Sequence, residues 1–270
     1  MVRISVIIPT RDRGADLRRC LEALAECAQR LDGSGVRAKL HQVVVVDDAS
    51  AGGHATAAAG SSPLPVEVLR NRARAGAGAS RRLGVELATG DVLAFLDDDA
   101  APRGDWLIQA ADLDEERPAI TGRVLCFDDS LISQARQARY DARYVRLERD
   151  APVGFFAGGN SSVLAETFHQ VGGFSREGTG GDNSLAGALA ERGSPVRFRP
   201  ELVIAHRNGK GWRRAVADAW SAGRQHTERM TVAEGARALR EGAVGGTAAV
   251  REVNRLLGAV HVLGRLTGPR

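Results

Sequence analysis

The chain has 270 residues, 43% of them apolar, which is enough for one large core or for one domain with an extension. Its net charge is +4 and its isoelectric point near 9.4. Lys39 and Lys210 are its only lysines, so the basic excess is arginine, a bias that follows genome base composition and is no argument for nucleic acid. Cys20, Cys27 and Cys126 are an odd number without metal-site spacing, which excludes a disulfide scaffold and points to a reducing compartment. The amino terminus lacks a signal-peptide apolar region, and no apolar run reaches membrane-spanning length; the expectation is a cytoplasmic protein with no transmembrane segment.

Residues 4–8 are a β-branched strand ended by Pro9. Residues 16–30 place Leu17, Cys20, Leu21, Leu24 and Cys27 at helical spacing. Residues 43–46 are an apolar strand that runs into Asp47 and Asp48. Residues 52–62 are small and polar and receive no assignment, and residues 66–69 form a short strand. Residues 79–88 read as a helix stopped by Gly90, and residues 92–96 as the next strand, followed at once by Asp97, Asp98 and Asp99. Strands alternating with helices predict an α/β fold with a mostly parallel central sheet flanked by helices. In such sheets ligands bind at the carboxyl ends of the strands, where both acidic clusters lie. Three adjacent carboxylates repel one another, and their desolvation is costly unless a cation sits among them. A hard divalent ion, Mg²⁺ or Mn²⁺, is the simplest cation, and it usually brings a substrate phosphate with it.

Further along, residues 106–116 read as a helix, 119–126 as a strand and 133–148 as an arginine-rich helix. Glycines then cluster from Gly154 to Gly181, as they do in loops that approach a ligand closely. Residues 183–192 read as a helix, and 196–198 and 202–205 as two short strands before His206. Beyond that point the chain is helical and basic, a C-terminal extension. Trp212 and Trp220, eight apart, read as the packing face of a helix. The same segment is also open to peripheral contact with an anionic membrane, and the apolar run at 256–263 to packing on the domain or on a partner subunit in a homodimer.

These motifs, in this order, resemble an inverting glycosyltransferase of the GT-A fold, family 2 type, over residues 3 to 206. Residues 6–10 with Arg13 resemble the strand and turn that cup the nucleotide base. Residues 43–50 resemble the strand whose aspartate reads it. Gly76, Arg81 and Gly84 fit the start of the following helix, and Asp97-Asp98-Asp99 the Asp-x-Asp metal motif. Gly158-Gly159-Asn160, with residues 171–174, resembles the acceptor-side loop and helix. Asp182 with Leu185 fits the segment that carries the base, and residues 200–206 the strand ending in a histidine.

The resemblance implies a domain at 1–206, with a nucleotide-binding half to about residue 100 and an acceptor-binding half after it, and a helical extension at 207–270. It implies a nucleotide-diphosphate sugar donor, UDP or dTDP, contacted by Pro9, Thr10, Arg13, Asp47, Asp48, Arg81, Asp97 and Asp98. Mn²⁺ or Mg²⁺ would be held by Asp97, Asp99 and His206. Gly158, Gly159 and Asn160 would face a small-molecule, glycan or lipid-linked acceptor whose hydroxyl is deprotonated by Asp182. Departures from the family's pattern fall on the acceptor side, where Gly181 stands before Asp182, and at Arg11-Asp12 after the first strand. An Asp-x-Asp phosphohydrolase and a non-catalytic nucleotide-sugar or nucleic-acid binding module share some of these features. The first normally carries its motif on the first strand, and the second predicts binding without turnover.

Overall fold

The computed structural model describes residues 1–174, 181–206, 211–224 and 230–267, with side chains throughout these except at 181–183. Strand β1 (Val2–Thr10) is buried on both faces, as its unbroken apolar run requires of a strand inside a parallel sheet. It pairs in parallel with β2 (Ala38–Asp47) on one side and with β4 (Val92–Leu96) on the other, and β2 pairs in parallel with β3 (Val66–Arg70). The chain therefore runs β1, β2, β3 toward one edge and restarts at β4 on the opposite side of β1. That reversal puts the topological switch point between the carboxyl ends of β1 and β4, where a doubly wound sheet opens a crevice.

Helix α1 (Gly14–Gly33) buries the predicted face of Leu17, Cys20, Leu21, Leu24 and Cys27. Residues left unassigned in the sequence form α2 (His54–Gly60), a short helix that buries only Ala55 and Ala58. Helix α3 (Ala77–Leu87) lies on β1 and β2 so closely that a Cβ on Gly84 would stand 2.6 Å from Ile7 Cγ2.

Beyond β4 the sheet departs from the parallel expectation. A short β5 (Ala100–Pro102) follows the acidic triplet, and β7 (Asn160–Leu164) is antiparallel to both β4 and β6 (Ala119–Cys126), giving the eight-stranded order β3-β2-β1-β4-β7-β6-β8-β5. The two expected strands before His206 are one strand, β8 (Arg197–His206), which continues through Pro200. Helix α4 (Trp106–Ala111) is shorter than its periodicity predicts. Asp112 leaves helical geometry to meet Arg199, and Asp114 Oδ1 accepts the Arg117 N–H (2.7 Å) in a turn. Helix α5 (Leu131–Tyr144) starts two residues before the predicted position because Ser130 caps it, accepting from the Ser133 N–H (3.3 Å). Behind β4, Phe95 packs among Phe156, Phe168 and Phe174 at centroid distances of 5.1 to 6.1 Å, fixing the strand two residues before Asp97.

The chain divides into two compact units. One contains residues 1–124 and 148–205 and holds the sheet; the other contains residues 125–147 and 206–270. The helical unit thus takes in α5 as well as α8 (Gly211–Arg224), α9 (Val232–Glu241) and α10 (Ala248–Thr267). Ile132, Ala135, Ala215, Val250, Val253 and Leu257 form its core, and Arg139 Nε donates to Asn254 Oδ1 (2.8 Å) across α5 and α10. The tryptophans expected on the packing face of α8 are 45% and 37% exposed at Trp212 and Trp220. Ala215, Ala219 and Gly223 take the packed side instead, and the contact with α10 is tight enough that a Cβ on Gly223 would sit 2.2 Å from the His261 carbonyl. Among the described residues no helix is long and apolar enough to cross a membrane.

Candidate functional site

The crevice is lined by the turns that leave β1, β2 and β4. After β1, Asp12 adopts a left-handed φ of 53°, and after β2 Ala49 does so with φ 55°. The two turns are stapled together: the Asp12 N–H donates to Ser50 Oγ (2.9 Å), and Asp12 Oδ1 accepts from the Ala51 N–H (2.7 Å). Non-glycine residues in this region are strained and persist only where surrounding bonds hold them.

Asp47 and Asp48, both buried, are tied into this frame. Asp47 accepts from the Ser50 N–H (2.9 Å) and from Arg70 Nη1 (2.7 Å). Asp48 accepts from Asn71 Nδ2 (2.8 Å) and from the N–H groups of Ala75 (2.7 Å) and Gly76 (2.9 Å), at the entrance of α3. Burial pushes the Asp48 carboxyl up, but the bonds from Ala75, Asn71 and Gly76 and the charge of Arg11 outweigh it and hold the group below the usual carboxylate range. The sequence singled out Asp47 and Asp48 but not their side-chain partners Arg70 and Asn71; the signal was that pair at the carboxyl end of β3, on the edge where ligands collect.

The acidic triplet is shared with two arginines. Thr10 Oγ1 donates to Asp98 Oδ2 (2.8 Å), and Arg13 Nη1 donates to Asp98 Oδ1 (3.0 Å) and Asp99 Oδ2 (2.9 Å). Arg81 Nη2 donates to Asp97 Oδ1 (2.7 Å). Asp98 and Asp99 are buried, while the Asp97 side chain is 33% exposed. The Asp98 carboxyl is raised to about 6, chiefly by burial and further by the charge of Asp99, against the downward pull of Arg13 and Thr10. His206, the last residue of β8, completes a group with Asp97 and Asp99 in which one ligand atom from each lies within 4.8 Å of the others. Two carboxylates and an imidazole at this spacing are a fitting donor set for Mn²⁺ or Mg²⁺.

Strand β7 brings the Gly158-Gly159-Asn160 segment to the same place. A Cβ on Gly159 would lie 2.1 Å from Asp97 Oδ2, so glycine here leaves room for a candidate ligand. Asn160 is buried, and its amide joins three elements: Oδ1 accepts from Trp106 Nε1 (2.8 Å), and Nδ2 donates to the carbonyls of Arg123 and Leu202 (3.0 Å each). Pro9, Thr10, Arg13, Asp47, Asp48, Arg81, Asp97, Asp98, Asp99, Gly158, Gly159 and Asn160 therefore all stand at the carboxyl ends of β1, β2 and β4, at the entrance of α3 or at the adjoining start of β7. Asp182 lies in α7 (Gly181–Glu191), but its side chain is outside the described residues.

Comparisons with known proteins agree with this geometry. A search of curated proteins finds the pre-mycofactocin glycosyltransferase of Mycobacterium tuberculosis, 29% identical over 216 residues that make up 75% of this chain and 42% of that protein. The chain thus spans less than half the length of this curated relative. Among solved structures, the mannosyltransferase PcManGT from Pyrobaculum calidifontis, in complex with GDP-Man and Mn²⁺, is similar over 97% of this chain and 71% of that one, with a TM-score of 0.62 and 20% identity. GalNAc-T7 with UDP, GalNAc and Mn²⁺ is similar over 78% of this chain and 45% of that one, with a TM-score of 0.58 and 17% identity. These likenesses establish the GT-A fold. The family model described as Glycosyl transferase family 2 matches residues 5–172, from β1 past the triplet and through β7, and the chain belongs to that family.

Proposed function

We propose that this chain is the catalytic part of a metal-dependent glycosyltransferase that moves a sugar, with inversion, from a nucleotide-diphosphate sugar to an acceptor hydroxyl. The observation that carries this reading is the group of Asp97, Asp99 and His206 in the switch-point crevice of a family 2 chain. A divalent ion held there supplies countercharge to the diphosphate as the bond to the sugar breaks. The chain's own residues do the rest. Arg13 and Arg81, already aimed at the triplet, can pass from carboxylate to phosphate oxygens, and Arg81 does so from the first half of α3. The stapled turns at Asp12 and Ala49 hold the base side rigid, with Asp47 as the acceptor for a base N–H. PcManGT is bound to GDP-Man and GalNAc-T7 to UDP; for this chain we favour a uridine or thymidine donor, on the family resemblance. Gly158 to Asn160 shape the acceptor side, and Asp182 takes the acceptor proton.

Thermal stability against a panel of nucleotide diphosphates and nucleotide sugars, with and without Mn²⁺ or Mg²⁺, tests the donor half. One nucleotide should raise Tm only with metal. At a hundred times Kd the gain is about 2.7 kcal/mol, and it should vanish in Asp99→Ala. No shift with any nucleotide refutes the reading. Asp182→Asn tests the base: nucleotide binding should persist while transfer falls roughly 10²- to 10⁴-fold. The anomeric configuration of the product, read by NMR, decides inversion.

A further inference from the structure

The helical unit differs from the rest of the chain in two ways. Its 88 residues hold sixteen basic against eight acidic side chains, a net +8, which leaves −4 on the sheet unit of a chain that totals +4. It also carries nine of the twelve exposed large apolar side chains among the described residues, although it is the smaller unit. Apolar and cationic exposure thus coincide.

Helix α8 concentrates both. Trp212, Val216 and Trp220 recur at four-residue spacing and are 45%, 36% and 37% exposed. At 100° per residue, Arg213 and Arg224 project beside Trp220. Asp218, the only acid on the helix, falls on the opposite flank, where it accepts from Arg214 Nε (2.8 Å) and Arg136 Nη2 (3.1 Å). The side packed on α10 consists of small residues meeting at Gly223 and Gly264, and both indoles stay partly exposed beside it. One face of α8 therefore offers two tryptophans, a valine and two arginines, with no negative charge.

We infer that this face docks the protein on an anionic phospholipid surface. Tryptophan suits the boundary between headgroups and acyl chains, its ring apolar and its N–H polar, while flexible arginine stems carry their charge outward to phosphate. Charge decides between occupants. A second copy of this chain docked through the same face would bring two +8 units together, whereas an anionic bilayer complements them. The inference does not rest on the glycosyltransferase reading, because it uses only residues of the helical unit.

The test is flotation of the full chain with vesicles of phosphatidylcholine alone or mixed with phosphatidylglycerol. Binding is expected only to the anionic vesicles and should weaken as salt rises. Trp212→Ser with Trp220→Ser should reduce vesicle partitioning at least tenfold, and Arg213→Gln with Arg224→Gln should cost roughly fivefold per arginine. Trp106 is fully buried, so a blue shift of emission on adding vesicles reports the two α8 indoles. The substituted side chains are exposed, so an unchanged melting temperature in both variants confirms folding. Three results would overturn the inference: no binding to anionic vesicles, binding that both double variants retain, or a dimer in sedimentation that Trp212→Ser with Trp220→Ser dissolves.

Discussion

At Gly159 a missing side chain sets the position of a present one. An added Cβ would overlap Asp97, whose partly exposed carboxylate can swing outward to relieve the clash. Gly159→Ala should therefore keep the fold yet weaken Mn²⁺ binding about tenfold, the usual scale for disturbing a ligand's support. A Mn²⁺ titration that matches wild type refutes this. Ala49 presents the opposite case, a side chain where none is wanted. Its φ of 55° costs about 1 kcal/mol relative to glycine, so Ala49→Gly should stabilise the protein by that amount in urea unfolding. The sequence exposed the charged members of the site, because carboxylates at strand ends stand out against an apolar run. It hid Gly159 beside Asp97, and Asn160 joining Trp106, Arg123 and Leu202, because those contacts exist only once β7 lies antiparallel to β4.

Elements held by local pattern contain nearly all of their predicted spans, while α4, which meets long-range charge, falls short of its own. Helix α1 follows its periodicity, whereas α4 ends early where Asp112 turns toward Arg199. Arg199 on β8 is fully inside, and its guanidinium meets Asp112 and, at 3.0 Å, Asp150. One cation thus joins β8, the end of α4 and the chain after α5. Removing it leaves Asp112 and Asp150 with longer contacts, such as those to Arg149 (3.7 Å each), and opens a large void, so Arg199→Ala should cost about 3 kcal/mol, read from the urea midpoint at unchanged slope. A cost under about 1 kcal/mol would mean that the cluster is ornamental. The break expected at Pro200 was a false reading of the same strand. Proline ordinarily demotes a strand, but β8 runs from Arg197 through Pro200 to His206.

Across the whole molecule, the parallel half of the sheet was legible because each of its strands is a short apolar run between helices. In the other half β6 was read at residues 119–126 and β8 in two pieces, but β7 was missed. In β7, Asn160, Ser161 and Ser162 are polar residues buried by hydrogen bonds instead of by hydrophobicity. The grouping of α5 with the C-terminal helices was equally invisible, because they lie more than sixty residues further along. Arg13 and Arg81 give the acidic triplet an internal countercharge, and this makes a metal dispensable for folding. A zinc finger collapses when chelated, because its ligands have nothing else to hold them; here the ligands are already held. Exhaustive chelation should leave the melting temperature of the free protein where it was, and a marked drop would show the ion to be structural. On the proposed reading such an ion would be a visitor that comes and goes with the nucleotide, while the protein stands ready between visits.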